Sequence, residues 1–190
     1  MSTRTLSGQK VITEDYRKML ADLHASSPQF GELPNKEFVL EGLGSLIGST
    51  NAKTLLDYGC GKGVLKQHAA ALWPDVEVFE YDPAIPGKDT LPQPADIVAC
   101  IDVMEHIEQE LVDDVMDYLA VLTKHVFFTT IALSPAFKTL PDGRNAHITL
   151  MPPDWWFAKI QARFTVHKFK PLGKHWVYAL CTKPAGEPGR

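Results

Sequence analysis

Thr54-Leu55-Leu56-Asp57-Tyr58-Gly59-Cys60-Gly61-Lys62-Gly63 is the stretch whose reading decides the fold. Leu55 and Leu56 read as the end of a buried strand, Asp57 stands where that strand stops, and three glycines alternate before an amphipathic segment over 64–73. The pattern is strand, glycine turn, helix. Glycine reaches positive φ without strain and lets a ligand approach the main chain without meeting a Cβ, so something small lies against the backbone here. No packing reason for the glycines is evident in the sequence. A pyrophosphate-binding turn requires G-x-G-x-x-G before a helix N-terminus. Counted from Gly59 its last glycine falls on Val64, and counted from Gly61 it falls on Lys66. What stands here is D-x-G-x-G-x-G, headed by an acid that is awkward beside a pyrophosphate and useful beside an ammonium group.

Working outward, residues 11–25 carry Tyr16, Leu20 and Leu23 at helical spacing, and Asn35 is placed to cap a second helix bearing Phe38, Val39, Leu43 and Leu46. After the glycine turn, 76–81 (VEVFEY) alternates as a strand and ends at Asp82. Asp82 lies 23 residues after Gly59, where a carboxylate can accept two ribose hydroxyls side by side. Only 13 residues, four of them proline, separate Asp82 from Asp96, and they read as a loop. Segments 96–101 (DIVACI) and 125–131 (HVFFTTI) are strands with a helix between them that runs to Leu122; 134–153 is irregular. Asp154 caps a short helix carrying Trp155, Trp156 and Ile160. Segments 164–169 and 175–182 form a terminal antiparallel pair, and 185–190 is a frayed tail.

The predicted fold class is therefore α/β, a Rossmann-like, mostly parallel sheet with helices on both faces, a terminal antiparallel strand pair and a shortened region between the second and fourth strands. A chain of 190 residues fits one domain, 1–190. Within it, 1–50 supplies N-terminal helices over the ligand, 51–183 the core and 184–190 the tail. Residues 1–10 (MSTRTLSGQK) lack the apolar stretch of a signal peptide, and no apolar run approaches the roughly 20 residues of a membrane span. Cys60, Cys100 and Cys181 are widely spaced and read as reduced thiols, so the expected location is cytoplasmic, with no membrane partner. Residues 1–154 hold 12 Lys and Arg against 22 Asp and Glu, whereas 155–190 hold 7 against 1. The basic end is a solvated face or an attraction for an anionic substrate such as a phosphorylated sugar or RNA.

D-x-G-x-G-x-G with Asp82 beyond it resembles the class I S-adenosylmethionine-dependent methyltransferases over about 40–183. The resemblance implies S-adenosyl-L-methionine as cofactor, bound by Asp57, Gly59, Gly61, Gly63, Asp82 and Asp102, and N-terminal helices that cover it. The proline-rich loop replaces the helix and third strand usual in that family, which leaves Lys88, Asp89 and Thr90 as weak candidates for adenine recognition.

Asp102, Glu105 and His106 are spaced i, i+3 and i+4, so a helix beginning at the strand end would put all three on one face, and a divalent cation would join them. His147 lies in the next loop over the same sheet edge. This run is similar to the E-x-x-E-H pattern, with a later histidine, of the small-RNA 3′-end 2′-O-methyltransferases and the ubiquinone-pathway O-methyltransferases. That likeness implies a metal on Asp102, Glu105, His106 and His147, with magnesium, manganese, iron and zinc all admitted by mixed oxygen and nitrogen ligands. Without a metal, His106 or His147 removes the acceptor's proton alone. Arg144 and Asn145 are candidates for a phosphate or hydroxyl, Trp155 and Trp156 for stacking, and Tyr16 and Phe30 for a lid. The expected activity is O-methylation of a small hydroxylated, nucleotide or RNA substrate. The alternatives are a metal-free methyltransferase acting on nitrogen or carboxylate, a non-catalytic S-adenosylmethionine-binding module, and a nicotinamide oxidoreductase, the last disfavoured by Val64 and Asp57.

Overall fold

Residues 3–6 and 9–184 are described in a computed structural model. They run β1 (Thr3–Leu6), β2 (Gln9–Thr13), α1 (Glu14–Ser26), α2 (Lys36–Thr50), β3 (Thr54–Tyr58), α3 (Val64–Leu72), β4 (Glu77–Tyr81) and β5 (Ala95–Ile101). There follow α4 (Val112–Leu122), β6 (Thr123–Ala132), α5 (Pro153–Gln161), β7 (Thr165–Leu172) and β8 (Trp176–Thr182). The tail expected over 185–190 lies outside the described residues.

Successive strand residues point to opposite faces of a sheet, and here both faces are apolar. Leu55 on β3, Ile97 and Ala99 on β5, and Val126 and Phe128 on β6 pack with Val39 and Leu43 of α2 and Leu65 and Ala69 of α3. Their neighbours Leu56, Val98, Cys100 and Phe127 pack on the other side with α1, α4 and α5. A sheet apolar on both faces has to be covered on both. Six strands take the order β4-β3-β5-β6-β8-β7, the first four mutually parallel and β8 antiparallel to both β6 and β7. This is the Rossmann-like sheet with a terminal antiparallel pair predicted above, and no strand lies between β4 and β5. The chain leaves β3 towards β4 on one side and returns to β5 on the other, so a crevice opens at the carboxyl ends of β3 and β5. No helix among the described residues is long and apolar enough to cross a membrane.

Three local expectations are corrected. The first helix begins at Glu14, because Val11 and Ile12 are buried in the strand paired with β1, and Thr13 caps the helix by accepting from the Tyr16 N–H. The run after β5 is not one helix: Asp102 is left-handed (φ 58°), Met104–His106 and Gln109–Leu111 are separate 3-10 turns, and α4 starts at Val112. Asp154 lies inside the first turn of α5, whose cap position is Pro152.

Thr13 also ties the N-terminal segment to the loop after β5, its N–H and Oγ1 donating to Glu108 at 2.8 and 2.7 Å. Thr13→Val keeps the β-branch and removes both the cap and one of these bonds. Urea denaturation should show a loss of about 1–2 kcal/mol, and an unchanged midpoint would show that neither bond matters.

Candidate active site

The β3–α3 turn uses up its own backbone donors. The Gly59 and Cys60 N–H groups both donate to the Tyr81 carbonyl (2.7 and 3.0 Å), Lys62 to Gly31 (2.9 Å) and Gly63 to Cys60 (2.8 Å). The Gly61 N–H donates to Asp82 Oδ2 at 3.1 Å. With every N–H from 59 to 63 already paired, the turn is no anion cradle, which argues against a pyrophosphate independently of spacing. Packing also explains the glycines. A Cβ on Gly61, at φ 49°, would stand 2.5 Å from the Gly31 carbonyl oxygen, one on Gly59 would strike Val103, and one on Gly63 would strike Glu80. Gly59 and Gly61 line the crevice; Gly63 sits under the Glu80–Lys88 ion pair instead.

The crevice is a cavity of about 240 Å³. At one end stands Asp82, buried at the close of β4, with Oδ1 accepting from Ala84 N (3.0 Å) and Oδ2 from Gly61 N. His24, from the last turn of α1, faces it at 3.9 Å, and its Nδ1 is buried with no partner among the described residues. Burial holds the His24 imidazole below its usual range despite Asp82. Asp57 is buried beside a recess that shares Gly31 and Gly59 with this end. Desolvation, with Glu80 beside it, lifts its carboxyl to about 7.

At the other end, Asp102 lines the cavity and accepts from Trp176 Nε1 at 2.7 Å. Glu105 is 0% exposed; its Oε1 accepts from Ala132 N at 2.8 Å and its Oε2 has no hydrogen-bond donor among the described residues. Burial and the neighbouring Asp102 raise its carboxyl well above the usual range. His106 Nδ1 lies 2.7 Å from the Ala146 carbonyl and His147 Nδ1 2.6 Å from that of Ser134. A carbonyl only accepts, so each Nδ1 carries a proton, and the Nε2 of either ring in its neutral form keeps its lone pair. The two rings meet edge to face at 4.8 Å. Candidate ligand atoms of Glu105, His106 and His147 lie within 4.8 Å of one another. Asp102 falls outside that group; its carboxylate accepts from Trp176 and lies against Glu105. Burial, reinforced by His147, lowers His106 to about 4. Phe30 lies between the two ends, against His24 (4.6 Å) and edge-on to His106 (5.5 Å).

Residues 16–171 match the family described as "Methyltransferase domain". The chain belongs to that family. No curated protein matches this methyltransferase in sequence. Its fold is similar to that of the N-methyltransferase NodS from Bradyrhizobium japonicum, solved with S-adenosylhomocysteine (10% identity, TM-score 0.63, 90% of this chain and 100% of that one). It is also similar to the 1,6-didemethyltoxoflavin-N1-methyltransferase of Burkholderia thailandensis (14%, 0.61, 96% and 94%). A third likeness is to the magnesium protoporphyrin IX methyltransferase of Synechocystis (14%, 0.57, 89% and 97%).

Other sequence candidates lie elsewhere in the methyltransferase. Lys88 pairs with Glu80 and donates to the Gly61 carbonyl, both at 3.0 Å, so it clamps the turn and does not line the cavity. Asp89 and Thr90 do not line it either. Trp156 is fully buried in the core and Trp155 lies under Lys159 (5.0 Å), both away from the cavity. Arg144 is paired with Asp142 and sits over the Tyr16 ring, while Asn145 braces the loop through both sides of Ala136. Sequence reasoning passed over His24, Gly31, Lys138 and Trp176, which reach the site or its walls from distant segments.

The Asp57 carboxyl has a pH signature. Its folded-state value is raised, so its contribution to stability is fully present below about 3.8 and is lost as pH rises through about 7. Asp57→Asn never ionises. In the ligand-free protein it should raise Tm at pH 8, at roughly 2–4 °C for each kcal/mol, and raise it by less than half as much at pH 5. Equal shifts at both pH values would deny that the buried charge is destabilising.

Proposed function

We propose that this methyltransferase transfers the methyl group of S-adenosylmethionine to a hydroxyl of a small acceptor, with help from a divalent cation. The observation that carries the reading is one continuous cavity with the Asp82 carboxylate at one end and two free imidazole Nε2 atoms at the other. Neighbours solved with S-adenosylmethionine or S-adenosylhomocysteine share the fold.

Residue roles follow from the geometry. Asp82, held by two backbone N–H groups, has lone pairs left for ribose hydroxyls, and the partnerless His24 Nδ1 marks the same end as a place for a polar ligand. Asp57 fits an ammonium group, which would offset the burial and the neighbouring acids that raise it. S-adenosylmethionine supplies the methyl group on a sulfonium, a good leaving group, so the protein's work is alignment and proton removal. The methyl carbon breaks its bond to sulfur and bonds to the acceptor oxygen. The bond electrons stay on sulfur as a thioether, and the hydroxyl proton leaves to solvent water where both imidazoles hold the cation, or passes to an imidazole Nε2 where none is bound.

The donor set also fits a metal. Two imidazole nitrogens and one carboxylate oxygen converge, each Nδ1–H is anchored on a carbonyl as metal-bound histidines require, and Glu105 Oε2 is an orphaned buried acceptor. Magnesium, manganese, iron and zinc all suit such a set, and any of them would act as a Lewis acid on the acceptor hydroxyl. An imidazole near 4 stays neutral at pH 7, as a ligand must, but is weak as a lone base for a hydroxyl. For His106, that comparison favours a ligand's role over unaided proton removal. A nucleotide or RNA acceptor is the second reading, favoured by Lys168, Lys170 and Lys174, exposed around the β7–β8 hairpin. None of these lines the cavity.

Calorimetric titration with S-adenosylhomocysteine tests the cofactor, and absence of binding sinks the proposal. Asp82→Ala should weaken that binding at least ~10-fold, since it removes a charge-assisted bidentate contact. His147→Ala should leave it intact while abolishing both cation uptake, measured by elemental analysis of protein soaked in Mn²⁺ or Zn²⁺, and turnover. Turnover undiminished by His147→Ala and by chelator would replace the metal reading with the metal-free one.

A further inference from the structure

The segment between β4 and β5 folds back onto the Asp82 end of the crevice. From Asp82 the chain turns tightly: the Ala84 N–H donates to Asp82 Oδ1 (3.0 Å), the Ile85 N–H to the Asp82 carbonyl (3.3 Å) and the Lys88 N–H to the Ile85 carbonyl (3.1 Å). Lys88 is thereby returned to the residue from which the segment set out, and its own carbonyl accepts the Asp82 N–H at 2.9 Å.

The side chain of Lys88 completes the contact from another direction. Its ammonium, on a side chain 24% exposed, donates to the Gly61 carbonyl and to Glu80 Oε1, both at 3.0 Å. Glu80 is held in turn by Lys66 of α3 at 3.6 Å, and a Cβ on Gly63 would strike both members of the Glu80–Lys88 pair. Gly61 is a hinge in this turn, because at φ 49° a glycine restrains neither of the peptide units that flank it. The unit before it is fixed by its N–H on Asp82 Oδ2 (3.1 Å). The unit after it is fixed at both ends, by the Lys62 N–H on Gly31 (2.9 Å) and by the Lys88 ammonium on the Gly61 carbonyl. Two atoms of Lys88 thus grip Gly61 and Asp82, the two residues whose mutual hydrogen bond aims the Asp82 carboxylate.

We infer that Lys88 is a positioning residue for the cofactor: by holding the Gly61 carbonyl with its ammonium and the Asp82 N–H with its carbonyl, it fixes the Asp82 carboxylate in the orientation that receives the ribose hydroxyls. This rests on the proposed use of S-adenosylmethionine. Lys88 does not line the cavity, so it acts through Gly61 and Asp82 and not on the ligand. A carboxylate set in advance loses less freedom on binding, and removal of the ammonium gives that freedom back. Lys88 also holds the Asp57 carboxyl down, opposite to burial and Glu80. An effect carried by Asp57 would be felt at the cofactor's ammonium group, whereas an effect carried by Asp82 is felt at the ribose. A double-mutant cycle separates the two, because losses through a shared partner do not add.

The test is calorimetric titration of the full chain with S-adenosylhomocysteine, with thermal unfolding of each ligand-free protein followed alongside. Lys88→Met, which keeps the stem of the side chain and removes its charged donor, should weaken binding ~5-fold or more. Introduced into Asp82→Ala, the same change should weaken binding by less than about 2-fold further. Lys88→Gln, which keeps a neutral donor, takes its place in the cycle if Lys88→Met is unfolded at the titration temperature, and the same failure to add is expected. Unchanged affinity in the folded Lys88 variant overturns the inference. So does a loss that multiplies in full with that of Asp82→Ala, since Lys88 would then act through Asp57 or through the fold at large. If neither Lys88 variant folds, the residue serves stability and the inference is likewise overturned. Wild-type protein that binds no S-adenosylhomocysteine sinks the methyl-donor reading and this inference with it; wild-type binding that ignores Lys88 sinks this inference alone.

Discussion

Five consecutive backbone N–H groups, Gly59 to Gly63, are donated to Tyr81, Asp82, Gly31 and the turn itself, and the rest of the site depends on that pairing. It binds three segments far apart in sequence into one unit: the turn after β3, the end of β4 and the linker between α1 and α2. A side chain at Gly61 would drive the linker off the turn, so fold and site are the same requirement at that residue. The pairing also orients Asp82 before any ligand arrives. A carboxylate already fixed by two N–H groups loses little freedom when it accepts further donors, which is the advantage of preorganisation.

What was legible in the sequence is what local pattern carries. The D-x-G-x-G-x-G run, Asp82 at the end of an alternating segment and the apolar strands each depend on a few neighbouring residues, and the sheet followed from them. Val11 and Ile12 misled because helical spacing continued through them, while their β-branched side chains and a strand partner decided otherwise. Asp102, Glu105 and His106 met helical spacing as well, but a left-handed Asp102 and a single 3-10 turn stand where a continuous helix was expected. Glu105 and His106 meet His147 regardless, because the loop after β6 returns over the same edge. His24, Lys138 and Trp176 carried no local signal at all; each matters only through what a distant segment places opposite it.

The charge pattern divides differently in space than along the chain. Lys168, Lys170 and Lys174, which make the end of the sequence basic, lie exposed around β7, the outer strand of the sheet, where lysines discourage pairing with another edge. The crevice itself is acidic at the glycine turn, where Asp57, Glu80 and Asp82 crowd one another. The same lining holds the neutral His106 imidazole and one ammonium, Lys138, together with Glu32 and Glu108. A cationic cofactor beside the acids would meet opposite charge.

The terminal antiparallel pair belongs to this arrangement. In a parallel sheet every strand reaches the ligand edge with its carboxyl end, so a further parallel strand would bring only its last residues there. Because β8 runs the other way beside β6, its first residue, Trp176, pairs with Ala132 at that edge, and His175 accepts from Leu133 N just beyond (2.7 Å). Trp176 Nε1 can then reach Asp102, whose left-handed backbone costs about 1–3 kcal/mol and persists only where neighbours over-determine it. Here the Thr130 carbonyl takes its N–H at 3.0 Å and the indole takes its carboxylate. Reversal of one strand therefore supplies the donor that holds a strained residue at the mouth of β5, and the direction of β8 is part of how the site is built.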